Sequence, residues 1–258
     1  MRCPVCDEES RPAFEALVLR RHRVHYFHCP SCGLVHTEEP YWLDEAYASS
    51  ITLADTGLLA RNLHFAKSTT ALLSWYFPRD ARCLDYAGGY GVFTRLMRDI
   101  GFDFFWSDRH TTNLLARGFE RAPETPVDVI TAFEVMEHLP HPQEDLRDMI
   151  SISRNVIFST LLIPSPPPPP DAWWYYVLDY GQHVSLYSRK SLEVLAARFG
   201  LRLLTNGKDF HMMTDRNISN RMFRFLTGRA GRTLSRLLAR RMKSRTESDM
   251  AAMSERIQ

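Results

Sequence analysis

Nowhere does this chain hold an apolar run long enough to cross a membrane; charges or proline break each candidate well short of the roughly 20 residues a spanning helix needs. The N-terminus, Met1-Arg2-Cys3-Pro4, lacks the apolar core of a secretory signal. The expectation is a cytoplasmic protein. Cysteine is scarce, with five in 258 residues. Acids are missing altogether from one long stretch: Arg216, Arg221, Arg224, Arg229, Arg232, Arg236, Arg240, Arg241, Lys243 and Arg245 are ten cations with no carboxylate among them, although the whole chain carries a net charge of only +2. What remains is ordinary globular material. At 45% hydrophobic residues there is enough for one full α/β domain and something small beside it.

Four of the five cysteines fall into two knuckles, Cys3-Pro4-Val5-Cys6 and Cys29-Pro30-Ser31-Cys32-Gly33. Each knuckle presents two sulfurs from one tight turn, and two knuckles at this separation suit a tetrahedral four-thiolate zinc site. A reducing compartment disfavours the alternative, a pair of disulfides. Residues 1–40 therefore read as a zinc ribbon whose folding leans on its metal. His22, His25, His28 and His36 crowd the ribbon, but four thiolates already close the shell. The surrounding acids leave it without the concentrated basic surface of a nucleic-acid ribbon.

The chain is organised around Arg82–Asp108. Cys83-Leu84-Asp85-Tyr86 is a short apolar strand that stops at Ala87-Gly88-Gly89-Tyr90-Gly91; Val92, Phe93, Leu96, Met97 and Ile100 then recur at helical spacing until Gly101. Phe104-Phe105-Trp106 makes a second strand, and Asp108 stands just past its end, where nucleotide-binding folds place a ribose-binding carboxylate. Side chains at Gly89 and Gly91 would block a ligand approaching the backbone at the strand tip.

These residues resemble the first motif of the class I S-adenosylmethionine-dependent methyltransferases, Asp-x-Gly-x-Gly-x-Gly, which Asp85–Gly91 matches except at Ala87. A dinucleotide site fits less well, since the residue three after Gly91 is Thr94. A second patch, Phe133-Glu134-Val135-Met136-Glu137-His138-Leu139 through Pro142, resembles the Phe-Glu-Val-x-Glu-His-Leu-x-x-Pro segment of the subgroup related to ubiquinone-pathway and glycan-modifying enzymes. It follows an apolar strand, Val127–Phe133, of the kind found in parallel sheets covered on both faces. The resemblance implies a Rossmann-like α/β fold: a seven-stranded, mostly parallel sheet with an antiparallel last strand, extended by the small N-terminal zinc ribbon and a C-terminal basic helix. It also implies S-adenosylmethionine as cofactor, held by Asp85, Ala87, Gly88, Gly89, Gly91, Asp108, Phe133 and Glu134.

Between ribbon and core, residues 41–80 read as a helical connector, in which Asp55-Thr56-Gly57 is an N-cap candidate. The methyltransferase core spans 81–215. Thr112 to Gly118 reads as a helix, after which the third strand is short or absent. Asn155–Thr160 is the fifth strand, and Pro164–Pro170 a stiff spacer. Trp173, Trp174, Tyr175 and Tyr176 follow it, then Gly181-Gln182-His183. In the family this loop lies over the acceptor pocket, so the four aromatics, Gln182 and Glu137 are candidate acceptor contacts, although aromatics also fill cores. Ser188 caps a helix, and two strands turning at Asn206-Gly207 close the core. Residues 216–258 form a basic helical tail with apolar Met222, Phe225, Leu226, Leu234, Leu237 and Leu238 on one stripe, suited either to an anionic membrane surface or to packing on the core.

Methyl transfer is a displacement in which the protein mainly aligns acceptor and methyl, with a general base added for a hydroxyl nucleophile. His183 is the first candidate base and His138 the second. The Asn/Asp-Pro-Pro-Tyr pattern of enzymes that methylate base amines is absent. The leading expectation is methyl transfer to a hydroxyl of a sugar, polysaccharide precursor or other small molecule. The alternatives are an RNA methyltransferase gripping through ribbon and tail, and a non-catalytic scaffold.

Overall fold

The computed structural model describes residues 1–48, 55–122 and 124–256. Among these the strands run, in chain order, β1 Arg11–Val18, β2 His22–His28, β3 Val35–Thr37, β4 Arg82–Tyr86, β5 Asp103–Ser107, β6 Val129–Ala132, β7 Asn155–Ser159, β8 Ser185–Leu186, β9 Arg202–Thr205 and β10 Phe210–Thr214. The helices are α1 Leu43–Ala46, α2 Leu58–Tyr76, α3 Val92–Ile100, α4 Pro142–Ile152, α5 Arg189–Arg198, α6 Asn220–Thr227, α7 Arg229–Ala239 and α8 Thr246–Glu255. Contacts divide the chain into two compact units: Met1–Thr52 with Glu134–Ser151 and Phe158–Asp215, and Leu53–Phe133 with Ile152–Ile157 and Arg216–Gln258.

In the first unit the ribbon strands form an antiparallel sheet of order β1-β2-β3-β8. Alternation in β2 sends Val24 and Tyr26 inward. They pack with Val18, Trp42, Tyr175, Tyr176 and Leu186 into one apolar cluster. The ribbon does not build this core alone, because Tyr175, Tyr176 and Leu186 come from far along the chain.

The larger sheet has the order β5-β4-β6-β7-β10-β9. Strand β4 pairs in parallel with β5 and β6, and β10 pairs antiparallel with β9. Cys83, Leu84, Val129, Ile130, Val156, Ile157 and Phe158 are fully buried, as continuous apolar strands require. The α/β class and the antiparallel end strand agree with the sequence reading. The strand count is six among the described residues rather than seven. Where the third family strand would lie, Trp106 and Glu120 make only an isolated parallel bridge, in a segment studded with charges and proline that offers no apolar run to bury.

The helix expected over Thr112 to Gly118 is also missing. The amides of Leu114 and Leu115 both donate to the Tyr90 carbonyl, and the Ala116 amide donates to Asn113 Oδ1 at 2.9 Å, so local partners take the donors a helix would use. Nor do Asp55 and Thr56 cap α2. Its N-cap is Gly57, with no side-chain bond, and Asp55 instead takes Arg61 Nη2 on both carboxylate oxygens at 2.8 Å.

The basic tail folds as α6, α7 and α8 within the second unit. Phe223 and Leu226 of α6 are fully buried; in α7 the small residues Gly231 and Ser235 turn inward, and a Cβ at Gly231 would overlap the Leu226 carbonyl. Both helices pack against α2. Asp249 of α8 receives Arg98 Nη2 at 2.7 Å and Nε at 2.8 Å, and Arg95 Nη2 at 2.9 Å. Arg98 is buried, donates to the Phe104 carbonyl at 2.8 Å and stacks 3.7 Å above the Phe119 ring. The helix that follows the glycine turn is thus fastened by a residue near the far end of the chain.

Candidate active site

The two knuckles bring their sulfurs together. Cys3 and Cys32 lie 3.6 Å apart, Cys6 and Cys29 3.4 Å, and all four sulfurs lie within 4.8 Å of one another. A tetrahedron of thiolates around zinc, with bonds near 2.3 Å, has edges of about 3.8 Å, whereas a disulfide needs about 2.05 Å. The donor set fits zinc. Gly33, at φ +77°, turns the second knuckle so that its amide donates to the Cys29 carbonyl at 2.7 Å. His36 is buried and bonded to the Thr37 carbonyl and the Ser10 hydroxyl, a framework role.

In the glycine turn each position has its own reason. A Cβ at Gly88 would lie 2.6 Å from Asp85 Oδ2 and 2.9 Å from the Trp106 ring. Gly91 adopts φ +83°, and a Cβ there would lie 2.9 Å from Ala116 Cβ. Gly89 adopts φ +53°, and a Cβ there would meet nothing within 4 Å. Only Gly89 keeps its outer side open. Ala87 also sits in the left-handed region, at φ 51°, so the one departure from the family motif occupies backbone that glycine would take with less strain.

Around this turn the polar groups are held firmly. Asp85 is buried, accepting from the hydroxyls of Thr131 at 3.0 Å and Thr94 at 3.1 Å; burial pushes its pKa up to about 7 despite those bonds. Its oxygens tie the end of β4 to β6 and to the start of α3. Asp108 accepts from the amides of Gly89 at 2.9 Å and of His110 and Thr111 at 2.8 Å, and the Trp106 indole donates to the Gly89 carbonyl at 2.8 Å. Asp108 therefore clasps the loop, with three of a carboxylate's roughly four acceptor sites in use. Phe133 stacks on Phe65 at 4.5 Å and meets Phe93 edge-on at 4.8 Å.

A second polar cluster lies in the first unit. The Tyr175 hydroxyl donates to Glu137 Oε1 at 2.5 Å and accepts from the Leu161 amide at 3.1 Å. Glu137 is wholly buried, and burial followed by the charge of Glu134 pushes it up to about 8. Its other oxygen, Oε2, has no hydrogen bond partner of good geometry among the described residues, and the Thr160 hydroxyl is the polar group that eases it. His138 Nδ1 lies 2.8 Å from the Tyr47 hydroxyl, and His183 Nδ1 donates to the Tyr175 carbonyl at 2.7 Å. That bond leaves Nε2 as the basic atom of His183. The two imidazoles meet edge to face at 4.9 Å. Burial and His183 hold the His138 pKa well below its ordinary value.

The other candidates divide by exposure. Trp174 is 75% exposed and Trp173 half-buried, whereas Tyr176 is buried and donates to the Pro168 carbonyl at 2.8 Å. Gln182 is committed to the Ala46 carbonyl at 2.9 Å. Glu134, at φ 54°, donates from its amide to Ser159 Oγ at 2.7 Å and receives the same hydroxyl on Oε1 at 2.6 Å. Tyr47, Ser159, Thr94, Thr131 and Trp106 are polar members that the sequence reading missed; none belongs to a motif, and only folding brings them in.

An α/β sheet of this order, with a glycine turn after its first core strand and an acid clasping that turn, defines a nucleotide-cofactor fold of the methyltransferase kind. A family model described as a methyltransferase domain matches residues 58–206, more than half of the chain, and the chain belongs to that family. No curated protein matches it in sequence. Among solved structures it is similar to CalO1, a methyltransferase in calicheamicin biosynthesis in its SAH-bound form, at 16% identity and a TM-score of 0.45 over 63% of this chain and 55% of that one. The mitomycin 7-O-methyltransferase MmcR is similar at 16% identity and 0.42, over 60% and 54%, and a putative O-methyltransferase from Nostoc punctiforme at 15% and 0.40, over 67% and 66%. The chain spans little more than half the length of the first two.

Proposed function

We propose that the chain transfers a methyl group from S-adenosylmethionine to a hydroxyl of a sugar, a polysaccharide precursor or another small acceptor. The observation that carries this reading is the glycine turn, whose Gly89 alone keeps an open outer face beside a carboxylate with acceptor capacity left. Gly89 and Asp108 would hold the cofactor, Asp108 through a ribose hydroxyl on its remaining acceptor site. When bound, the cofactor supplies an activated methyl on a sulfonium. The edge-to-face packing of the His138 and His183 rings at 4.9 Å beside buried Glu137 supports assigning acceptor chemistry to this cluster. His183 takes the hydroxyl proton on Nε2, and the imidazolium so formed keeps its Nδ1–H bond to the Tyr175 carbonyl, which orients the ring and steadies its charge. His138 suits that task less, because burial penalises its cation. Trp173 and Trp174 offer faces to an acceptor ring, while Tyr175, Tyr176 and Gln182 shape the loop from beneath.

His183→Ala should lower turnover by about 10²–10⁴-fold, the usual scale for a general base, with cofactor affinity unchanged in calorimetry. Full activity of this variant on a hydroxyl acceptor would overturn the assignment; methylation of structured RNA alone in an acceptor screen would overturn the substrate class. The ribbon is proposed to hold one zinc ion on Cys3, Cys6, Cys29 and Cys32. Elemental analysis should find one equivalent in the wild type and none in Cys29→Ser. An unchanged content in the variant would refute the site.

A further inference from the structure

Two segments of the second unit, residues 56–79 and 216–246, contain no Asp or Glu, and they fold into the helices α2, α6 and α7, which pack on one another. Their inward faces are filled by Phe65, Leu72, Phe223, Leu226, Gly231 and Ser235. The outward side is cationic. On α6, Arg221, Arg224 and Phe225 are exposed together, and along α7 to its C-cap Arg240 the exposed residues Arg229, Thr233, Arg236, Leu237 and Arg240 recur at the spacing of one helix face. Phe225 is 51% exposed and Leu237 56%. Arg216 donates to the Tyr76 carbonyl at 3.2 Å and lies 4.5 Å above the Phe77 ring, so the tail begins at the end of α2 that exposes Trp75 by 55%.

We propose that this α6–α7 face, with Trp75 beside its start, docks on the surface of an anionic phospholipid bilayer. Arginines there meet headgroup phosphates, and Phe225 and Leu237 enter the acyl boundary between them, as an amphipathic pair lying in the interface plane does. Trp75 suits the headgroup level, where indoles collect. Charge complementarity selects this occupant. A second copy meeting it through the same face would set arginine against arginine, since residues 216–246 hold no acid, and a polynucleotide would give the exposed Leu237 nothing apolar to cover. No helix among the described residues is long and apolar enough to cross a membrane, so the contact is peripheral. The proposal is independent of the reaction.

The test uses the full chain without cofactor or acceptor. Sedimentation with vesicles of equimolar phosphatidylcholine and phosphatidylglycerol should carry the protein down, and vesicles of phosphatidylcholine alone should not; added salt should weaken the binding without abolishing it. The double variant Arg229→Glu, Arg236→Glu should lower partitioning at least about tenfold. Phe225→Ser with Leu237→Ser should remove the part that survives salt. Retained binding of S-adenosylmethionine in both variants separates a docking defect from misfolding, and failure of every form to bind it would count against the proposed reaction only. Equal binding to both vesicle types, no binding to either, or capture by RNA with mixed vesicles left unbound would each overturn the proposal.

Discussion

The glycine turn and the histidine cluster each gather polar groups, and they do so by opposite routes. In the turn, backbone does the shaping: Gly88, Gly89 and Gly91 each answer a different steric demand, and Asp108 is fixed by three amides. In the cluster, side chains do it, and they arrive from four separated places, Tyr47, Glu137–His138, Tyr175 and His183. A backbone site tolerates almost no change at a few positions, while a side-chain site spreads its demands over many. The two share one trait, a buried carboxyl whose pKa is raised, to about 7 at Asp85 and about 8 at Glu137.

That shared trait gives the largest test of the comparison. Asp85 moves from an ordinary 3.8 to about 7 on burial, so both folded and unfolded chains hold its proton at low pH, and the unfolded chain ionises first as pH rises. Stability from this residue is therefore intact below pH 4 and falls through the window from about 4 to 7, by about 4 kcal/mol at 1.36 kcal/mol per unit. Asp85→Asn should be more stable than the wild type in urea melts at pH 8 and lose that advantage at pH 4. An advantage of the same size at both would show that the buried charge is not the cause.

A smaller series sharpens the backbone half. Gly91→Ala should cost about 3 kcal/mol, joining left-handed strain to a clash with Ala116, and should act on stability first. Gly89→Ala should cost only about 1 kcal/mol of stability, since its Cβ enters open space, yet should weaken S-adenosylmethionine binding sharply. Ala87→Gly should stabilise by up to about 1 kcal/mol. Denaturation and calorimetry on the three variants separate the roles; equal loss of cofactor affinity in Gly89→Ala and Gly91→Ala would erase the distinction.

The same contrast explains what was legible in the sequence. The strand, turn and helix from Cys83 to Ile100 carry local signals, and the knuckles carry a spacing, so both could be read in advance. The missing helix after Thr111 could not, because its amides are diverted to the Tyr90 carbonyl and the Asn113 side chain, partners that no periodicity reveals. Asp108 was legible as a carboxylate after a strand but not as a loop clasp. Trp173–Tyr176 read as one aromatic group, yet the fold splits it, leaving Trp174 in solvent and Tyr176 in the core. Tyr47 and Ser159 had no signal at all, since their partners lie 91 and 25 residues away in the chain.

The pairing of Arg98 with Asp249 has a consequence for synthesis. Arg98 belongs to the helix that follows the glycine turn, and its guanidinium is buried against a carboxylate made 151 residues later. While a ribosome is still translating, that guanidinium has only Asp103, at 3.0 Å, as a carboxylate partner, and the Asp249 carboxylate that takes its Nε and Nη2 is still unmade. The second unit therefore completes its packing out of the order in which it is made: the glycine turn and its helix are finished long before α8 emerges to complete the ion pairs of Arg98.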